Sequence, residues 1–503
     1  MGMGENMSAH VSAAEPGAPT RRQMQSLIRV QLPNLHLRFS ERKLLLAIVD
    51  LITANAALFA AVAWRAQPLQ AVEHAHEIWW IVSLSILWLV VGLFLNIYDL
   101  ALAASPLHSA WASGRAVLIT SICYLFIPYV TPALPPSRLE AALFPLFATT
   151  GIITWRIVYA QVFVQPAFHQ RALVIGAGWA GQTLARAISE RDDNGANPYR
   201  GTGYQILGYI DDDPAKQGQH VEGVPVLGTR RDLLRLVREL HPDELILAIT
   251  HSATIHSELF QAILDCRELG LPITTMSSLY ERITGRVPVE HAGRDLYVVL
   301  PVDQPAGHRI YMVLRSILDR MVALAGCILL LALLPLVWLV NHFTAPGDVF
   351  YCQERVGLGG KTFQLLKFRS MVMDAEKHTG AVWATPDDPR VTPMGRILRI
   401  TRLDELPQCW NILKGDMSLI GPRPERPEFV ASLARDIPFY RVRHAVKPGV
   451  TGWAQVKHTY CASVDDSLVK LQYDLYYIKH QGPYLDLLIT LKTIQVMLGL
   501  KGR

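Results

Sequence analysis

Charged residues are scarce in this sequence of 503 residues, of which 18% are charged and 50% hydrophobic. Soluble proteins usually carry about 25% charge, so this composition argues against a wholly soluble protein and favours membrane segments. Basic residues exceed acidic ones by only five, 48 against 43. This small excess does not by itself indicate nucleic acid binding, and a basic surface near a membrane would account for it equally well.

Cysteine is also scarce, and the six cysteines are scattered without a CxxC pair or a Cys/His cluster at zinc-site spacing. The pattern predicts neither a structural metal site nor a disulfide framework, and it fits a protein that faces the reducing cytosol. The N-terminus lacks the apolar core of a signal peptide. We expect residues 1–40 to form a disordered cytosolic tail.

Long hydrophobic runs, by contrast, are plentiful, and four of them lie in the first third of the chain, at about 44–64, 79–98, 116–130 and 141–163. Most approach the roughly 20 residues that a helix needs to cross a bilayer. The sequence therefore predicts a four-helix transmembrane bundle over 41–167, the alternative being the buried helical core of a soluble protein. Arginines and lysines before the first run place the N-terminus in the cytosol. Asp50, inside this run, is expected to make an interior or interfacial polar contact.

An apolar strand then leads into a GxGxxG motif formed by Gly176, Gly178 and Gly181. Strands alternate with helices over 168–300, which predicts a parallel α/β sheet of Rossmann type. The motif alone is a weak signal for a nucleotide, because the acidic residue Asp211 follows later than is usual and no Tyr-x-x-x-Lys pair is present. Three interpretations stay open: an empty or regulatory ligand site, a bound nucleotide, or redox chemistry.

A fifth apolar run, 321–340, contains Pro335 and has basic residues on both sides. Because basic flanks tend to stay in the cytosol, a helix broken at Pro335 that dips into the membrane and returns fits better than a spanning one. Proline removes a backbone donor and kinks a helix. An ordinary spanning helix with a tolerated proline is the alternative.

The C-terminal segment, 308–503, is dense in polar motifs. Two short strands are expected around Gly359 and Gly360. The motifs are QERVG (353–357), KFRSM (367–371), DPRVT (388–392), LDELPQ (403–408), NILKGDMS (411–418), GPRPERP (421–427) and KPGVTGW (447–453). Together they resemble the bacterial sugar transferase family, the large polyprenyl-phosphate hexose-1-phosphate transferases. The resemblance implies a mostly α catalytic domain that follows a re-entrant membrane helix, although here Leu334 stands before Pro335 where many relatives have a small polar residue.

Transfer of a phosphosugar needs a nucleophile and a means to neutralise the leaving phosphate, and carboxylates can supply the first directly and the second by holding Mg²⁺. Adjacent Asp404 and Glu405 could divide these tasks, but local sequence does not say which does which. The resemblance implies that Asp404 is the nucleophile and that Glu405 is the Mg²⁺-associated carboxylate. Taken alone, an Asp-Glu pair would more often be a solvated helix start.

Basic residues recur where phosphates would need donors; for each, a surface salt bridge is the alternative. The candidate phosphate-binding residues are Lys367, Arg369, Arg390, Arg399, Arg402 and Arg423. Arg423 is the most convincing, because Pro422 and Pro424 hold its loop rigid. The segment 449–453 is expected near substrate, with Trp453 either in that loop, in the core or at the membrane interface.

The leading hypothesis is therefore an enzyme of the bacterial inner membrane with cytosolic catalytic and Rossmann-like domains. It would transfer hexose-1-phosphate from a UDP-sugar to undecaprenyl phosphate through a phosphosugar-aspartate, and so begin exopolysaccharide, capsule or O-antigen synthesis. Glucose and galactose are favoured by analogy alone, and a homodimer is compatible with the domain surfaces. Two rivals stay open: a nucleotide-sugar oxidoreductase or dehydratase acting through the Rossmann-like domain, and a catalytically silent membrane scaffold.

Overall fold

The chain folds into an N-terminal helical region, a Rossmann-like domain and a C-terminal domain that holds the polar motifs. We analysed a computed structural model. It describes residues 39–65, 78–125, 131, 138–163, 169–189, 203–249, 256–291, 296–299, 307–344, 346–373, 375, 388–458 and 463–499. The predicted disordered tail, 1–40, lies almost wholly outside the described residues.

Among the described residues, five helices form the N-terminal region, and the four longer ones pack around one apolar core. The helices are α1 (Phe39–Arg65), α2 (Ile78–Phe94), α3 (Leu100–Ala104), α4 (Pro106–Leu125) and α5 (Arg138–Val162). Asp50 of α1 and Arg156 of α5 form a completely buried ion pair. The expected interior polar contact of Asp50 is thus confirmed, and it joins the first helix to the last.

Not all four long helices have the composition of a membrane span. Among the described residues, α1, α5 and the later helix His308–Thr344 contain segments long and apolar enough to cross a membrane, while α2 is apolar but shorter. The third predicted run, 116–130, corresponds to α4, which begins ten residues earlier, at Pro106, and is described as far as Leu125. Residues 126–130 of the run lie outside the described residues. Its buried face carries Ser109, Ser113, Thr120 and Ser121, which a search for apolar runs passes over.

The second domain is built on a six-stranded sheet with the strand order β3-β4-β2-β1-β5-β6. Apart from the β3–β4 pair, the strands run parallel, so the predicted Rossmann-like sheet is confirmed. Its strands are β1 (Gln170–Ile175), β2 (Tyr204–Ile210), β3 (His220–Val221), β4 (Val224–Gly228), β5 (Glu244–Leu247) and β6 (Ile273–Thr275). Its helices are α6 (Trp179–Ser189), α7 (Leu233–Leu240), α8 (Ser257–Glu268) and α9 (Met276–Thr284).

The glycine loop between β1 and α6 is closely packed. Gly176 has φ of +102°, and a Cβ at Gly181 would lie 2.1 Å from the Gly176 carbonyl oxygen. Asp211, at the end of β2, accepts a hydrogen bond from the Ala177 backbone N–H at 2.7 Å. The glycines therefore allow the tight turn, and the Asp211 carboxylate already accepts the hydrogen bond of one backbone N–H of the loop, that of Ala177.

The C-terminal domain begins with a long helix, α11 (His308–Thr344), which follows the short α10 (Leu296–Val299). Ala323, Leu330 and Val337 are buried at seven-residue spacing on α11, so one face packs against the domain along most of its length while the opposite face stays exposed and apolar. The helix does not end at Pro335 but continues to Thr344. A proline costs about 3 kcal/mol inside a helix, and here the packing of Leu334 and Val337 into a shared core offsets that cost.

Short strands and helices complete this domain and surround its cavity. The strands are β7 (Phe350–Val356), β8 (Thr362–Phe368), β9 (Ser418–Ile420) and β10 (Gly449–Thr451). The helices are α12 (Pro393–Ile400), α13 (Gln408–Lys414), α14 (Pro427–Asp436), α15 (Trp453–Lys457), α16 (Val464–Lys479) and α17 (Pro483–Leu498). The predicted hairpin is confirmed, because β7 and β8 pair in antiparallel register. Val287, Val289 and Val299 pack in this domain's core, so the Rossmann-like core ends near Ile283.

Candidate active site

One cavity of about 1160 Å³ in the C-terminal domain brings the predicted site residues together. Its walls come from the β7–β8 hairpin, the segment that follows α12, the loop after β9 and the segment 450–458. All eight candidate catalytic and phosphate-binding residues line it: Lys367, Arg369, Arg390, Arg399, Arg402, Asp404, Glu405 and Arg423. They span 57 positions of sequence, from 367 to 423, so folding rather than proximity in the chain unites them.

The two carboxylates lie on a short 3₁₀ turn, Leu403–Glu405, between α12 and α13. Arg402 begins the turn in the left-handed region, with φ of +60°. Such a conformation costs a residue other than glycine about 1–3 kcal/mol and is found preferentially at functional sites. Pro407 then precedes α13 in helical conformation. The turn is therefore fixed at both ends, and both carboxylates are buried.

Glu405 is held by two cations. Arg423 donates a hydrogen bond from Nη2 to Glu405 Oε1 at 2.8 Å, and Lys367 Nζ lies 3.6 Å from the same oxygen. Burial alone would raise the pKa of Glu405, but the charges of Arg423 and Lys367 outweigh it and hold the pKa well below its usual range. Glu405 is consequently a permanent carboxylate at neutral pH.

Asp404 has a different environment from its neighbour. Its Oδ1 atom is buried and has no hydrogen-bond partner among the residues that the structure describes. Burial, and then the negative charge of Glu405, raise the pKa of Asp404, while Lys367, Arg423 and Arg399 oppose the rise. A poorly solvated carboxylate oxygen without a partner is more nucleophilic than one that is fully hydrogen-bonded, so Asp404 is the better placed of the two to attack an electrophile.

The predicted phosphate-binding residues differ in what they already contact. Arg390 makes a two-pronged contact to Asp388 through Nε and Nη2 at 2.8 and 2.6 Å, which lowers the pKa of Asp388 to about 2. Arg369 donates to the Pro346 carbonyl oxygen at 3.3 Å, and Arg399 donates through Nε to Ser370 Oγ at 2.9 Å. Arg390 is thus largely committed to the wall of the cavity, whereas Arg399 acts electrostatically on Asp404.

A second charged group lines the cavity, and the sequence analysis did not single it out. Glu425 forms ion pairs with Lys470 and with Arg355, whose Nη1 lies 3.6 Å from Oε2. These cations and Arg443 overcome the effect of burial and lower the pKa of Glu425 to about 2. Arg355 and Glu425 stand in the QERVG and GPRPERP motifs, a signal that could have found them. Lys470 stands in none of the motifs.

Behind the cavity, a buried ion pair supports the loop that carries Arg423. Arg443 Nη2 lies 2.8 Å from Asp474 Oδ2, and the same nitrogen donates to the Arg423 carbonyl oxygen at 2.9 Å. Both side chains are 2% exposed. The buried Arg443 therefore helps to position Arg423, whose guanidinium donates the hydrogen bond to Glu405.

Glu405 fits a Mg²⁺ ion whose coordination would be completed by phosphate oxygens of the substrate. Within the part of the chain that the structure describes, no group of three or more His, Cys, Asp or Glu side chains could hold a metal. Mg²⁺ is usually bound by one or two carboxylates together with phosphate oxygens and water. The ionised Glu405 is one such carboxylate.

A buried, inequivalent carboxylate pair in a basic cavity beside a long apolar helix defines a site for phosphate-bearing substrates at a membrane. Comparison with known proteins is consistent with this class. The bacterial sugar transferase family model matches residues 310–500, and a CoA-binding domain model matches 93–273. The chain belongs to the bacterial sugar transferase family.

Three relatives illustrate the similarity. A UDP-N-acetylgalactosamine-undecaprenyl-phosphate N-acetylgalactosaminephosphotransferase of Aeromonas hydrophila is 38% identical over 60% of this chain and 68% of that protein. An undecaprenyl-phosphate glucose phosphotransferase of Komagataeibacter xylinus is 31% identical over 76% and 69%. A UDP-glucose:undecaprenyl-phosphate glucose-1-phosphate transferase of Xanthomonas campestris pv. campestris is 30% identical over 66% and 67%.

The glycine loop of the Rossmann-like domain does not fit a diphosphate well. The Ala177 N–H, a donor that a phosphate would need, is taken by Asp211. The carboxylate also adds negative charge where the phosphate would approach, although Lys216 Nζ lies 3.3 Å from it. We therefore derive no reaction step from a nucleotide or coenzyme at Gly176, Gly178 and Gly181.

Proposed function

We propose that this enzyme transfers a hexose-1-phosphate from a UDP-sugar to undecaprenyl phosphate and releases UMP, in two steps through a covalent phosphosugar on Asp404. The observation that carries the proposal is the inequivalence of the dyad: within the described part of the chain, Asp404 Oδ1 has no partner, while Glu405 is fixed by Arg423 and Lys367. The names of the relatives support the substrate classes.

In the first step, a carboxylate oxygen of Asp404 forms a bond to the β-phosphorus of the UDP-sugar. The bond from that phosphorus to the oxygen that bridges to the α-phosphate breaks, and UMP leaves with the electron pair. Arg423, Lys367 and Arg399 surround the dyad and stabilise the charge that develops on the phosphate oxygens. Glu405 would hold Mg²⁺ together with phosphate oxygens of the substrate, and the ion would supply further charge neutralisation.

In the second step, a phosphate oxygen of undecaprenyl phosphate attacks the phosphorus of the aspartyl ester. The bond between phosphorus and Asp404 breaks, and the carboxylate is regenerated. The product is an undecaprenyl diphosphate sugar. Because Glu405 stays ionised beside the leaving Asp404 carboxylate, the cations of the cavity balance the two negative charges of the dyad as the ester breaks.

The packing of α11 supports a placement of this helix in the cytosolic leaflet of the cytoplasmic membrane, with the cavity on the cytosolic side. Arg315 donates to Ser418 Oγ at 2.8 Å, and Val337 still packs in the same domain's core. The 22 positions between them correspond to about 33 Å of helix, close to the thickness of the hydrocarbon core. A helix that spanned the bilayer would draw the domain in with it, whereas a continuous helix that lies along the domain and dips into one leaflet leaves the charged cavity outside.

The test is UMP release by the full chain in lipid nanodiscs, measured over a panel of UDP-sugars with and without undecaprenyl phosphate. The panel includes UDP-glucose, UDP-galactose and UDP-N-acetylgalactosamine. The last is included because it appears in the name of the Aeromonas hydrophila relative, the most identical of the three described above. With one sugar we expect up to one UMP per enzyme without the lipid, continued UMP release with the lipid, and a matching lipid diphosphate product. UMP release from none of the sugars would overturn the proposal.

A further inference from the structure

The Rossmann-like domain and the catalytic cavity meet at a tryptophan. Trp453 is 6% exposed, and its indole Nε1 donates a hydrogen bond to the Gly285 carbonyl oxygen at 3.0 Å. Gly285 ends α9 in the left-handed conformation, with φ of +69°. A Cβ there would lie 3.3 Å from Trp453 Cζ2, so the helix end and the indole are in close contact.

A second set of contacts fixes the same helix end. Glu281 of α9 is buried, and its Oε1 accepts a hydrogen bond from Lys479 Nζ at 2.8 Å. Its Oε2 lies 2.9 Å from His480 Nε2. Just beyond α9, the Val287 N–H donates to the Gln472 carbonyl oxygen. The end of α9 is therefore held by α16 and by the segment that follows it, in a geometry set by charge as well as by packing.

On the side away from α9, the chain around Trp453 forms a wall of the cavity. Val450, Thr451, Ala454, Gln455 and Val456 all line it. Gln455 Nε2 donates to the Val450 carbonyl oxygen at 2.9 Å, which ties the two ends of this segment together. The indole thus lies between the Rossmann-like domain and the cavity wall and is in contact with the end of α9.

The wall segment also touches the loop that carries Arg423. The Gly421 N–H donates to the Thr451 carbonyl oxygen at 2.8 Å, and a Cβ at Gly452 would lie 2.2 Å from the Gly421 carbonyl oxygen. Arg423, two residues after Gly421, donates the hydrogen bond to Glu405. A short path of direct contacts therefore runs from α9 through Trp453 and Gly421 to the dyad.

Within its own domain, α9 packs firmly on the sheet. Met276, Leu279, Tyr280 and Ile283 share a core with Ala180 and Leu184 of α6. Because the sheet holds one face of α9 and the cavity wall meets its end, the domain can act as a rigid support. This role needs no ligand at the glycine loop.

We infer that the Rossmann-like domain sets the geometry of the active site through α9, with Trp453 as the positioning residue that fixes the wall 449–457 and, through Gly421, the Arg423–Glu405 contact. The kinetic part of this inference rests on the proposed function, whereas the structural part does not. The interaction is local and directional, so it can be removed by loss of a single N–H.

The test compares Trp453→Phe, which keeps an aromatic ring but loses the N–H, with the matched control Trp179→Phe in the same full chain. Trp179 is half exposed and lies outside the cavity wall. Amide hydrogen exchange of peptides covering 420–423 and 449–457 is measured first, because it needs no turnover. We expect faster exchange in both peptides for Trp453→Phe, and in the same direction for Glu281→Gln, but not for the control.

Steady-state kinetics per mole of folded enzyme then separates positioning from bulk stability. We expect kcat/KM for the UDP-sugar to fall about fivefold in Trp453→Phe, the equivalent of one hydrogen bond of about 1 kcal/mol, with the KM for undecaprenyl phosphate within about twofold of wild type. Unchanged exchange in both peptides would overturn the inference, as would unchanged kinetics with only a lowered melting temperature. A wild type that releases no UMP would instead count against the proposed function, and the exchange result would still decide this inference.

Discussion

Arg423 Nη2 donates a hydrogen bond to Glu405 Oε1 at 2.8 Å, and this contact makes the two adjacent carboxylates of the site unequal. Glu405 gains a permanent cationic partner, while one oxygen of Asp404 has no partner among the described residues. The local sequence does not say which carboxylate is the nucleophile and which is associated with the metal. This difference favours Asp404 as the nucleophile and Glu405 as the metal-associated carboxylate.

The first prediction concerns that contact. Arg423→Gln should lower kcat/KM for the UDP-sugar by at least about 100-fold, since it removes both the partner of Glu405 and a donor for phosphate. Arg423→Lys should lose less, because it keeps the charge but not the planar fork. Arg435→Gln, an exposed arginine on α14, is the control. Wild-type kinetics in Arg423→Gln would remove the residue from the site.

The second prediction concerns pH. Burial and Glu405 raise the pKa of Asp404, and Arg399 opposes the rise. If the carboxylate form attacks, kcat/KM falls as pH drops through that pKa. Loss of the cation in Arg399→Gln raises the pKa further, so the acid limb should move to higher pH. The exposed Arg396→Gln, on the same helix, should leave the limb in place. An acid limb that stays fixed or moves to lower pH in Arg399→Gln would contradict the assignment.

The third prediction concerns the metal. Removal of divalent cations with EDTA should abolish UMP release, and added Mg²⁺ should restore it, because the described protein ligands are too few to bind the ion without phosphate oxygens. For the same reason, EDTA should leave the melting temperature of the substrate-free enzyme unchanged. Full activity in excess EDTA would exclude a role for the ion.

The fourth prediction concerns the buried pair behind the cavity. Asp474→Leu leaves the Arg443 guanidinium buried without its carboxylate, which typically costs about 3–5 kcal/mol of stability. The double variant Asp474→Leu, Arg443→Met should recover part of this loss, since no charge is left unpaired. Unfolding midpoints of the single and double variants measure both effects. A single variant as stable as wild type would show that solvent reaches this pair.

The motifs of the C-terminal domain predicted which residues meet, but not what each contacts. Lys367, Asp404 and Arg423 come together as expected, yet nothing in the DPRVT motif tells that Arg390 is paired with its own neighbour Asp388. The pairing depends on the conformation of the turn at 388–390, in which the Arg390 guanidinium folds back onto the Asp388 carboxylate. Side-chain direction in irregular segments is not encoded in periodicity.

Tertiary contacts explain the other limits of prediction. The sequence allowed Trp453 in a substrate loop, in the core or at the membrane interface, and the structure buries it between two domains. The sequence could not decide between these places because the hydrogen-bond partner of Trp453, Gly285, is 168 positions away. The start of α4 was missed because its polar residues face other helices instead of solvent. Pro335 predicted a break, but packing on the domain keeps α11 continuous.

The most direct measurement of the central claim is intact and peptide mass spectrometry of the enzyme after incubation with its UDP-sugar and Mg²⁺ in the absence of undecaprenyl phosphate. The account predicts a phosphohexose adduct on the peptide that contains Asp404, discharged by the lipid and absent in Asp404→Asn, with the exposed Asp465→Asn as a control that retains it. Rapid UMP formation and lipid product without any adduct, or undiminished turnover in Asp404→Asn, would contradict it.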